Sequence, residues 1–376
     1  MTGHNIHRRR RRSRSARLTH RFTGTEEQMI GRRTLLAGAC AAPTAVLTGA
    51  SGATAAADQP APANGGLIDV HSHFVPDFYA DDARAAGITM PDGMPSWPTW
   101  SVDAHLAMMD SAGIDRAVLS LSSPGVVFGD PAATADRARR VNDFAAQVTA
   151  AHPDRFGHFA TLPLPDIAAA VTEAIRVLDD LHADGVILLS NTAGTYLGNL
   201  VLDPLLAVLN DRSARVFVHP TSAPNVNSVD LGRPAPLVEF LFDSARTAID
   251  LVITGQLQRF PRIQWIFSHG GGVMPLVADR VDFFLRRAHL DTINPGAVSA
   301  FEKFWYDTAG TPLPRQIPAL TSLAGAQRIV YGSDFCFTPP EAVNDQVAAL
   351  RRAGGVGGVD DWAALTSANA KQLLNW

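Results

Sequence analysis

The stretch Leu67-Ile68-Asp69-Val70-His71-Ser72-His73 is a short apolar run that ends in two histidines. Such a run is typical of a β-strand buried on both faces. Side chains two residues apart on a strand point to the same face. We therefore expect His71 and His73 to project together from the carboxyl end of this strand, with Asp69 below them on the same face.

Seven more short apolar runs follow, and stretches with helical periodicity lie between them. Strands and helices in alternation indicate parallel β/α units, and eight such units predict an α/β protein of the (β/α)8, or TIM-barrel, class over residues 67–376. A doubly wound open sheet is the alternative, but the first strand is not followed by a G-x-G-x-x-G turn. The predicted strands are 67–71, 114–121, 156–163, 185–190, 215–220, 263–268, 304–309 and 328–333, and the clearest helices are 131–151, 166–183, 234–257, 275–289 and 341–353.

Charge is unevenly distributed along the 376 residues, of which 46% are hydrophobic. Residues 1–57 contain ten arginines and only two acidic residues, so the remainder carries 22 basic and 34 acidic side chains, a net charge of −12. An acidic body repels phosphate. We therefore do not expect a nucleic-acid partner, despite the basic run Arg8–Arg12.

The amino-terminal segment has the pattern of an export signal. Arg32-Arg33-Thr34-Leu35-Leu36 is a twin-arginine motif, an apolar stretch follows, and Ala55-Ala56-Ala57 offers a small-residue cleavage site. The apolar stretch is too short and too rich in small residues for a stable membrane span. We predict a leader over 1–57 and a linker over 58–66, with a disordered tail as the alternative.

This leader implies export by the twin-arginine route to a secreted, periplasmic or cell-surface location. Met29 precedes the motif and is a candidate for the true start of translation. Cys336 would then be the lone cysteine of the exported chain, so an intramolecular disulfide is not expected.

Several candidate ligands fall where predicted strands end. His219 ends the fifth strand, His269 ends the sixth and Asp334 ends the eighth. Because the carboxyl ends of barrel strands meet at one mouth, we predict one divalent metal ion held by His71, His73, His219 and Asp334. Imidazole-rich sites favour Zn²⁺, and these ligands also suit Mn²⁺. A single histidine at a strand end is more often an ordinary core residue, so it is the joint pattern that favours a metal site.

Six motifs resemble the amidohydrolase superfamily over essentially all of residues 67–376. Within it they are similar to the aminocarboxymuconate-semialdehyde decarboxylase group, and most similar to 6-methylsalicylate-decarboxylase-type proteins. Members with two metals carry a carboxylated lysine at the end of the fourth strand, where this chain has Leu188–Asn191, so the resemblance implies one metal. The motifs are Ile68–Phe74, Leu162–Pro165, Ala183–Val186, Val218–Thr221, Ser268–Gly272 and Gly332–Phe335.

The resemblance implies nonoxidative decarboxylation of a small aromatic, salicylate-like or unsaturated carboxylic acid. It further implies that His269 is a general acid/base and that Asp334 is a metal ligand that also relays the proton. Asp69 would contact the ion or orient a ligand histidine. A metal-dependent hydrolase of a lactone, cyclic amide or ester is the alternative, and export favours it.

Three further residues are candidates for substrate binding. Arg280 matches an arginine that reaches a neighbouring subunit's site in the semialdehyde decarboxylases, which would imply a homodimer, although it is also a plausible surface residue. Phe74 and Trp100 flank the long connection after the first strand, which we expect to cover the substrate together with residues 190–203. Plain packing is the alternative for both aromatic side chains.

Overall fold

The computed structural model describes residues 66–226, 231–288, 296–310 and 312–376. The predicted leader over 1–57 and all but the last residue of the predicted linker lie outside the described residues. Within the described part of the chain, no helix is both long enough and apolar enough to cross a bilayer.

Eight parallel strands form the predicted barrel. Each strand pairs with the next in chain order, and bridges from Asp69 to Tyr331 and from Ser72 to Phe335 bring the first strand beside the last. The (β/α)8 class is therefore confirmed. The strands are β1 (Leu67–His73), β2 (Ile114–Ser120), β3 (Phe156–Thr161), β4 (Gly185–Leu189), β7 (Arg215–His219), β8 (Gln264–Phe267), β9 (Trp305–Asp307) and β10 (Ile329–Val330).

Helices surround the strands, and a small hairpin of β5 (Asn191–Thr192) and β6 (Thr195–Tyr196) follows β4. The predicted helix boundaries agree with the observed ones within a few residues. The Asp166 side chain accepts a hydrogen bond from the Ala169 amide at 3.0 Å and so caps the helix Ile167–Asp179. The helices are α1 (Asp77–Ala85), α2 (Val102–Ala112), α3 (Thr134–Ala151), α4 (Ile167–Asp179), α5 (Asp203–Asp211), α6 (Glu239–Ile253), α7 (Gln256–Arg259), α8 (Met274–Arg287), α9 (Ala297–Phe301), α10 (Gln316–Ala324), α11 (Pro340–Arg351) and α12 (Trp362–Leu374).

Apolar side chains fill the barrel below the mouth, so the site has a solid floor. Ile68, Val118, Phe159 and Phe217 belong to this inner cluster, and Leu373 of α12 packs against its lower end. A larger apolar layer lies between the strands and the helices. Such packing holds the strand ends rigidly, so the side chains at the barrel mouth are fixed in position relative to one another.

The first strand departs from simple alternation. Its register against β2 shifts between Asp69 and Ser72, and both neighbours of Asp69, Ile68 and Val70, pack in the inner cluster. Asp69 therefore does not lie below His71 on the same face, because the irregularity reverses the facing of the strand before the histidines.

Candidate metal centre and its cavity

Four side chains converge at the mouth of the barrel. His71, His73, His219 and Asp334 each offer one ligand atom, and these atoms all lie within 4.8 Å of one another. His71 Nε2 is 3.0 Å from His73 Nε2, and Asp334 Oδ1 is 3.1 Å from His73 Nε2. The sequence prediction that these residues share one site is therefore correct in its geometry.

The outer ring nitrogens are occupied, which turns the inner ones toward a common centre. His71 Nδ1 lies 2.7 Å from Asp307 Oδ2, His73 Nδ1 lies 3.2 Å from the Ser120 carbonyl, and His219 Nδ1 lies 2.7 Å from the Pro220 carbonyl. Because each of these partners accepts a hydrogen bond from Nδ1, each ring in its neutral form presents its Nε2 lone pair to the centre. Lone pairs that face one another at about 3 Å repel unless a cation lies between them.

Electrostatics also favours a positive charge at this point. Burial opposes protonation of His71, yet the charges of Asp307 and Asp334 outweigh it and raise its pKa to about 10. Burial, reinforced by the neighbouring histidines, holds the pKa of His219 well below its usual range. Burial raises the pKa of Asp334, but the charge of His71 and hydrogen bonds from the surrounding imidazoles hold it well below the usual value. This donor set fits a divalent ion, which would displace a proton from His71.

Asp307 is the residue of this centre that the sequence analysis missed. Its carboxylate is buried at the end of β9. Oδ2 accepts a hydrogen bond from His71 Nδ1, and Oδ1 accepts one from the His269 backbone amide at 2.8 Å. A carboxylate behind a ligand imidazole fixes its tautomer and increases its basicity. Asp69 was the candidate for this role. Its Oδ1 instead accepts hydrogen bonds from the backbone amides of His71 and Ser333.

His269 stands beside the metal ligands on a glycine-rich turn. Its Nε2 lies 3.4 Å from Asp334 Oδ2, and its carbonyl accepts a hydrogen bond from Gln316 Nε2 at 2.7 Å. The turn needs glycine at Gly272, where φ is +63° and ψ is −126° and an added Cβ would collide with the Leu241 carbonyl. His269 is therefore held at the edge of the metal centre without belonging to its four-ligand group.

A cavity of about 420 Å³ opens directly above these groups. His219, His269 and Asp334 lie on its polar side, and the remaining wall is mainly apolar. This volume suits a small aromatic molecule with one end at the metal centre. The other lining residues are Pro91, Asp92, Met94, Ser122, Pro236, Leu237, Phe240, Leu241, Ala309, Gly310, Gln316, Phe337 and Thr338.

Two predicted substrate contacts lie outside the cavity lining. Phe74 and Trp100 are 1% and 7% exposed, and both lie in the core between strands and helices and not among the cavity-lining residues. Phe74 stacks on Phe144, and the Trp100 indole donates to His105 Nδ1 at 3.1 Å. The aromatic side chains at the two ends of this connection are therefore used for packing.

The two long connections differ in what they contribute. The one after β1 supplies Pro91, Asp92 and Met94 to the cavity wall, as expected of a covering loop. Residues 190–203 do not line that cavity, and they include Tyr196, whose hydroxyl donates to Asp243 at 2.5 Å. The second connection therefore braces the barrel against α6.

Arg280 and Cys336 both lie away from the cavity lining. Arg280 is exposed on α8, where its guanidinium lies 4.9 Å from the centre of the Phe284 ring. It does not reach the metal centre of its own chain. Cys336 is a buried thiol, and burial raises its pKa, so it is not expected to react.

Known proteins are similar to this chain in sequence and in fold. The amidohydrolase family model matches residues 68–376. The chain belongs to the amidohydrolase family. This amidohydrolase is 37% identical over 301 residues to decarboxylase yanB of Aspergillus niger, an alignment that covers 75% of this chain and 80% of that one.

Two further comparisons concern decarboxylases. The chain is 34% identical over 295 residues to 6-methylsalicylic acid decarboxylase acuB of Aspergillus aculeatus, covering 73% of this chain and 86% of the relative. The solved 5-carboxyvanillate decarboxylase of Novosphingobium aromaticivorans, complexed with manganese and a nitrobenzoic acid, has a TM-score of 0.72 at 22% identity and covers 83% of this chain and 96% of that one. The relatives therefore lie in the group that the sequence motifs resemble.

Proposed function

We propose that this amidohydrolase is a metal-dependent nonoxidative decarboxylase that releases CO₂ from a small aromatic, salicylate-like carboxylic acid. The observation that carries the proposal is the convergence of three imidazole lone pairs and one carboxylate at the polar end of an apolar cavity, with His269 beside them. The names of the relatives, decarboxylases of 6-methylsalicylic acid among them, support the same reaction.

The residues divide the chemistry as follows. His71, His73, His219 and Asp334 would hold the ion, which when bound would grip the substrate carboxylate with its neighbouring oxygen and draw negative charge. The apolar wall, including Phe240 and Leu241, would hold the ring and exclude water.

Loss of CO₂ from an aromatic ring requires a proton on the carbon that carries the carboxylate. In the proposal His269 delivers that proton, the bond to the carboxylate then breaks, and its electron pair restores the ring as CO₂ leaves. His269 Nε2 lies 3.4 Å from Asp334 Oδ2, and in the proposal Asp334 relays the proton that reprotonates His269 after each turnover. The reaction consumes one proton for each CO₂ released, so the pH rises when the CO₂ is swept from the solution before it hydrates to bicarbonate.

The test is to incubate the metal-loaded protein with hydroxybenzoates and, separately, with lactones, cyclic amides and esters, and to follow CO₂ and pH together. We expect CO₂ and rising pH with a salicylate-type acid, both abolished by a chelator. Hydrolysis of a lactone or ester with acidification, or opening of an amide ring without a pH change, in each case without CO₂, would instead establish the alternative, a metal-dependent hydrolase. That alternative uses the same four ligands but needs no general acid aimed at a ring carbon.

We propose Zn²⁺ as the native ion, with Mn²⁺ as the competitor. Three neutral imidazoles and one carboxylate favour the softer ion, whereas the solved 5-carboxyvanillate decarboxylase holds manganese. Elemental analysis of protein purified without added metal, followed by reconstitution of the stripped protein with each ion, decides between them. Higher activity with Mn²⁺, and Mn²⁺ in the purified protein, would overturn the zinc assignment.

We also propose a homodimer in which Arg280 reaches the partner's cavity. Three large apolar side chains on α8 are exposed to solvent: Leu276 by 76%, Phe283 by 59% and Phe284 by 51%. Exposure of so much apolar surface on one helix is unfavourable in water, which supports burial of this helix against a second copy. Sedimentation of the wild type and of Phe283→Ser tests this proposal. A monomeric wild type, or an Arg280→Ala variant with unchanged KM, would contradict it.

The export proposal rests on Arg32, Arg33 and the small-residue site that follows them. We propose that translation starts at Met29 and that the leader is removed after residue 57. Sequencing the amino terminus of the precursor tests the start at Met29, and sequencing that of the exported protein, together with substitution of both arginines by lysine, tests processing and export. An unprocessed protein that remains inside the cell would refute it.

A further inference from the structure

Asp92 is an acidic side chain in the wall of the substrate cavity, apart from the metal ligands. It lies in the single-turn 3₁₀ helix Pro91–Gly93 and lines the same cavity as His219, His269 and Asp334. None of the lining residues in the described part of the chain is lysine or arginine. Among the side chains that this chain itself contributes to the cavity, none is a cation that balances the carboxyl group of Asp92.

The position of this carboxyl group is fixed by its neighbours. The Ser222 hydroxyl donates to Asp92 Oδ1 at 3.2 Å, and the Ser123 hydroxyl also hydrogen-bonds to it. Ser222 follows His219 closely along the chain, so the loop that carries a metal ligand also holds Asp92. On the other side, a Cβ added to Gly93 would lie 3.2 Å from the Pro234 backbone, which shows how tightly the turn is packed.

The surroundings make a second negative charge unfavourable here. Burial raises the pKa of Asp92, and the two serine hydroxyls offset only part of this effect. A substrate carboxylate next to Asp92 would either place two negative charges together or require the uptake of a proton, and both cost free energy at neutral pH. A hydroxyl substituent meets no such penalty, because a carboxyl group can exchange a hydrogen bond with it.

We infer that Asp92 is a specificity-determining residue that rejects substrates with a second carboxylate and binds a hydroxyl group on the ring. This inference rests on the proposed decarboxylase function and deepens it. The acid that the enzyme accepts would be a monocarboxylate, with its one carboxylate at the metal centre and an uncharged, apolar or hydroxylated ring in the remaining cavity. A purely structural Asp92 would hold Ser222 in place and would have no effect on which acids bind.

The experiment measures binding of salicylates that carry a methyl, hydroxyl or carboxylate group at ring carbon 4 or 5. Binding is followed by calorimetry with the full-length, metal-loaded protein in a His269→Ala background, where turnover does not interfere. Asp92→Asn removes the charge but keeps an oxygen for Ser222. We expect it to raise affinity for the carboxylate-bearing acids at least about tenfold relative to the methyl-bearing ones.

Two more variants separate specificity from structure. Asp92→Leu removes hydrogen bonding but adds bulk, so its effect is read by comparing hydroxyl- and methyl-bearing acids, whose substituents are similar in size. We expect it to weaken binding of the hydroxyl-bearing acids about tenfold relative to the methyl-bearing ones. Ser222→Ala removes a partner of Asp92 and leaves the charge, so discrimination against the second carboxylate should persist.

The outcomes identify which proposal fails. Relative affinities that do not change in Asp92→Asn and Asp92→Leu, with the acids still bound, would overturn the role of Asp92 alone. Absence of CO₂ from every acid with the wild-type enzyme would overturn the decarboxylase. A selectivity change as large in Ser222→Ala as in Asp92→Asn would show that Asp92 acts only as a structural support, which also overturns the inference.

Discussion

His71 Nδ1 lies 2.7 Å from Asp307 Oδ2 although 236 residues separate the two along the chain, and both side chains are fully buried. The contact joins the first strand of the barrel to the seventh and fixes the imidazole that contributes to the metal centre. It also leaves His71 Nε2 aimed at His73 and Asp334.

Replacing this carboxylate should weaken metal binding. We expect Asp307→Asn to lower the affinity for the divalent ion by about 10–100-fold, because the amide is neutral and holds the tautomer of His71 less firmly. Competition with a chromophoric chelator measures the effect, and Asp154→Asn, at an exposed aspartate, is the control. Equal affinities in Asp307→Asn and the wild type would show that Asp307 is not needed to orient the ligand.

His269 should be separable from the metal ligands by mutation. We expect His269→Ala to keep its ion and to lose about 10²–10⁴-fold in turnover, since the proton donor is removed and the four ligands remain. His269→Asn is the second variant, because asparagine tolerates the left-handed backbone found here, with φ at +54°. Loss of the ion from both variants would mean that His269 is itself a ligand.

His105 should make stability depend on pH. Burial lowers its pKa to about 3, whereas an unfolded histidine titrates near 6.5. Between these values the unfolded chain binds the proton and the folded chain does not, so the free energy of unfolding falls as the pH is lowered, by up to about 1.4 kcal/mol per pH unit. We expect the wild type to lose stability faster than His105→Gln between pH 6.5 and 5 in urea titrations. Parallel losses in the two proteins would rule out this contribution.

The turn at Gly272 should not tolerate a side chain. We expect Gly272→Ala to lower the free energy of unfolding by roughly 1–3 kcal/mol more than Gly358→Ala does. Both glycines have positive φ, but an added Cβ collides with the Leu241 carbonyl at Gly272 and meets open space at Gly358. Thermal unfolding compares the two variants, and equal melting temperatures would show that the turn can relax away from α6.

Much of the candidate site could be read from local sequence pattern. An apolar run that ends in a histidine marks both a strand and the end at which its side chain emerges. Because all eight strands are parallel, the strand ends that carry His71, His219 and Asp334 had to meet at one mouth. Periodicity alone was therefore enough to predict the barrel and its convergent ligand set.

Other features depended on contacts between distant segments. Asp307 also ends a strand, yet its partner could be identified only when β9 lay near β1. Strict alternation places Asp69 on the face of His71, but the shifted register of β1 against β2 reverses the facing. Phe74 and Trp100 were expected at the substrate, but both are buried in the core between the strands and the helices.

The sequence by itself determined which residues form strands and helices and which polar side chains stand at the barrel mouth, because these depend on spacings of a few residues. Only the tertiary structure decided which carboxylate supports His71, which loop forms the cavity wall, and that Asp92 lies in that wall. These depend on packing between segments far apart in the chain, where the fit of whole surfaces, and not the local pattern, sets which side chains touch.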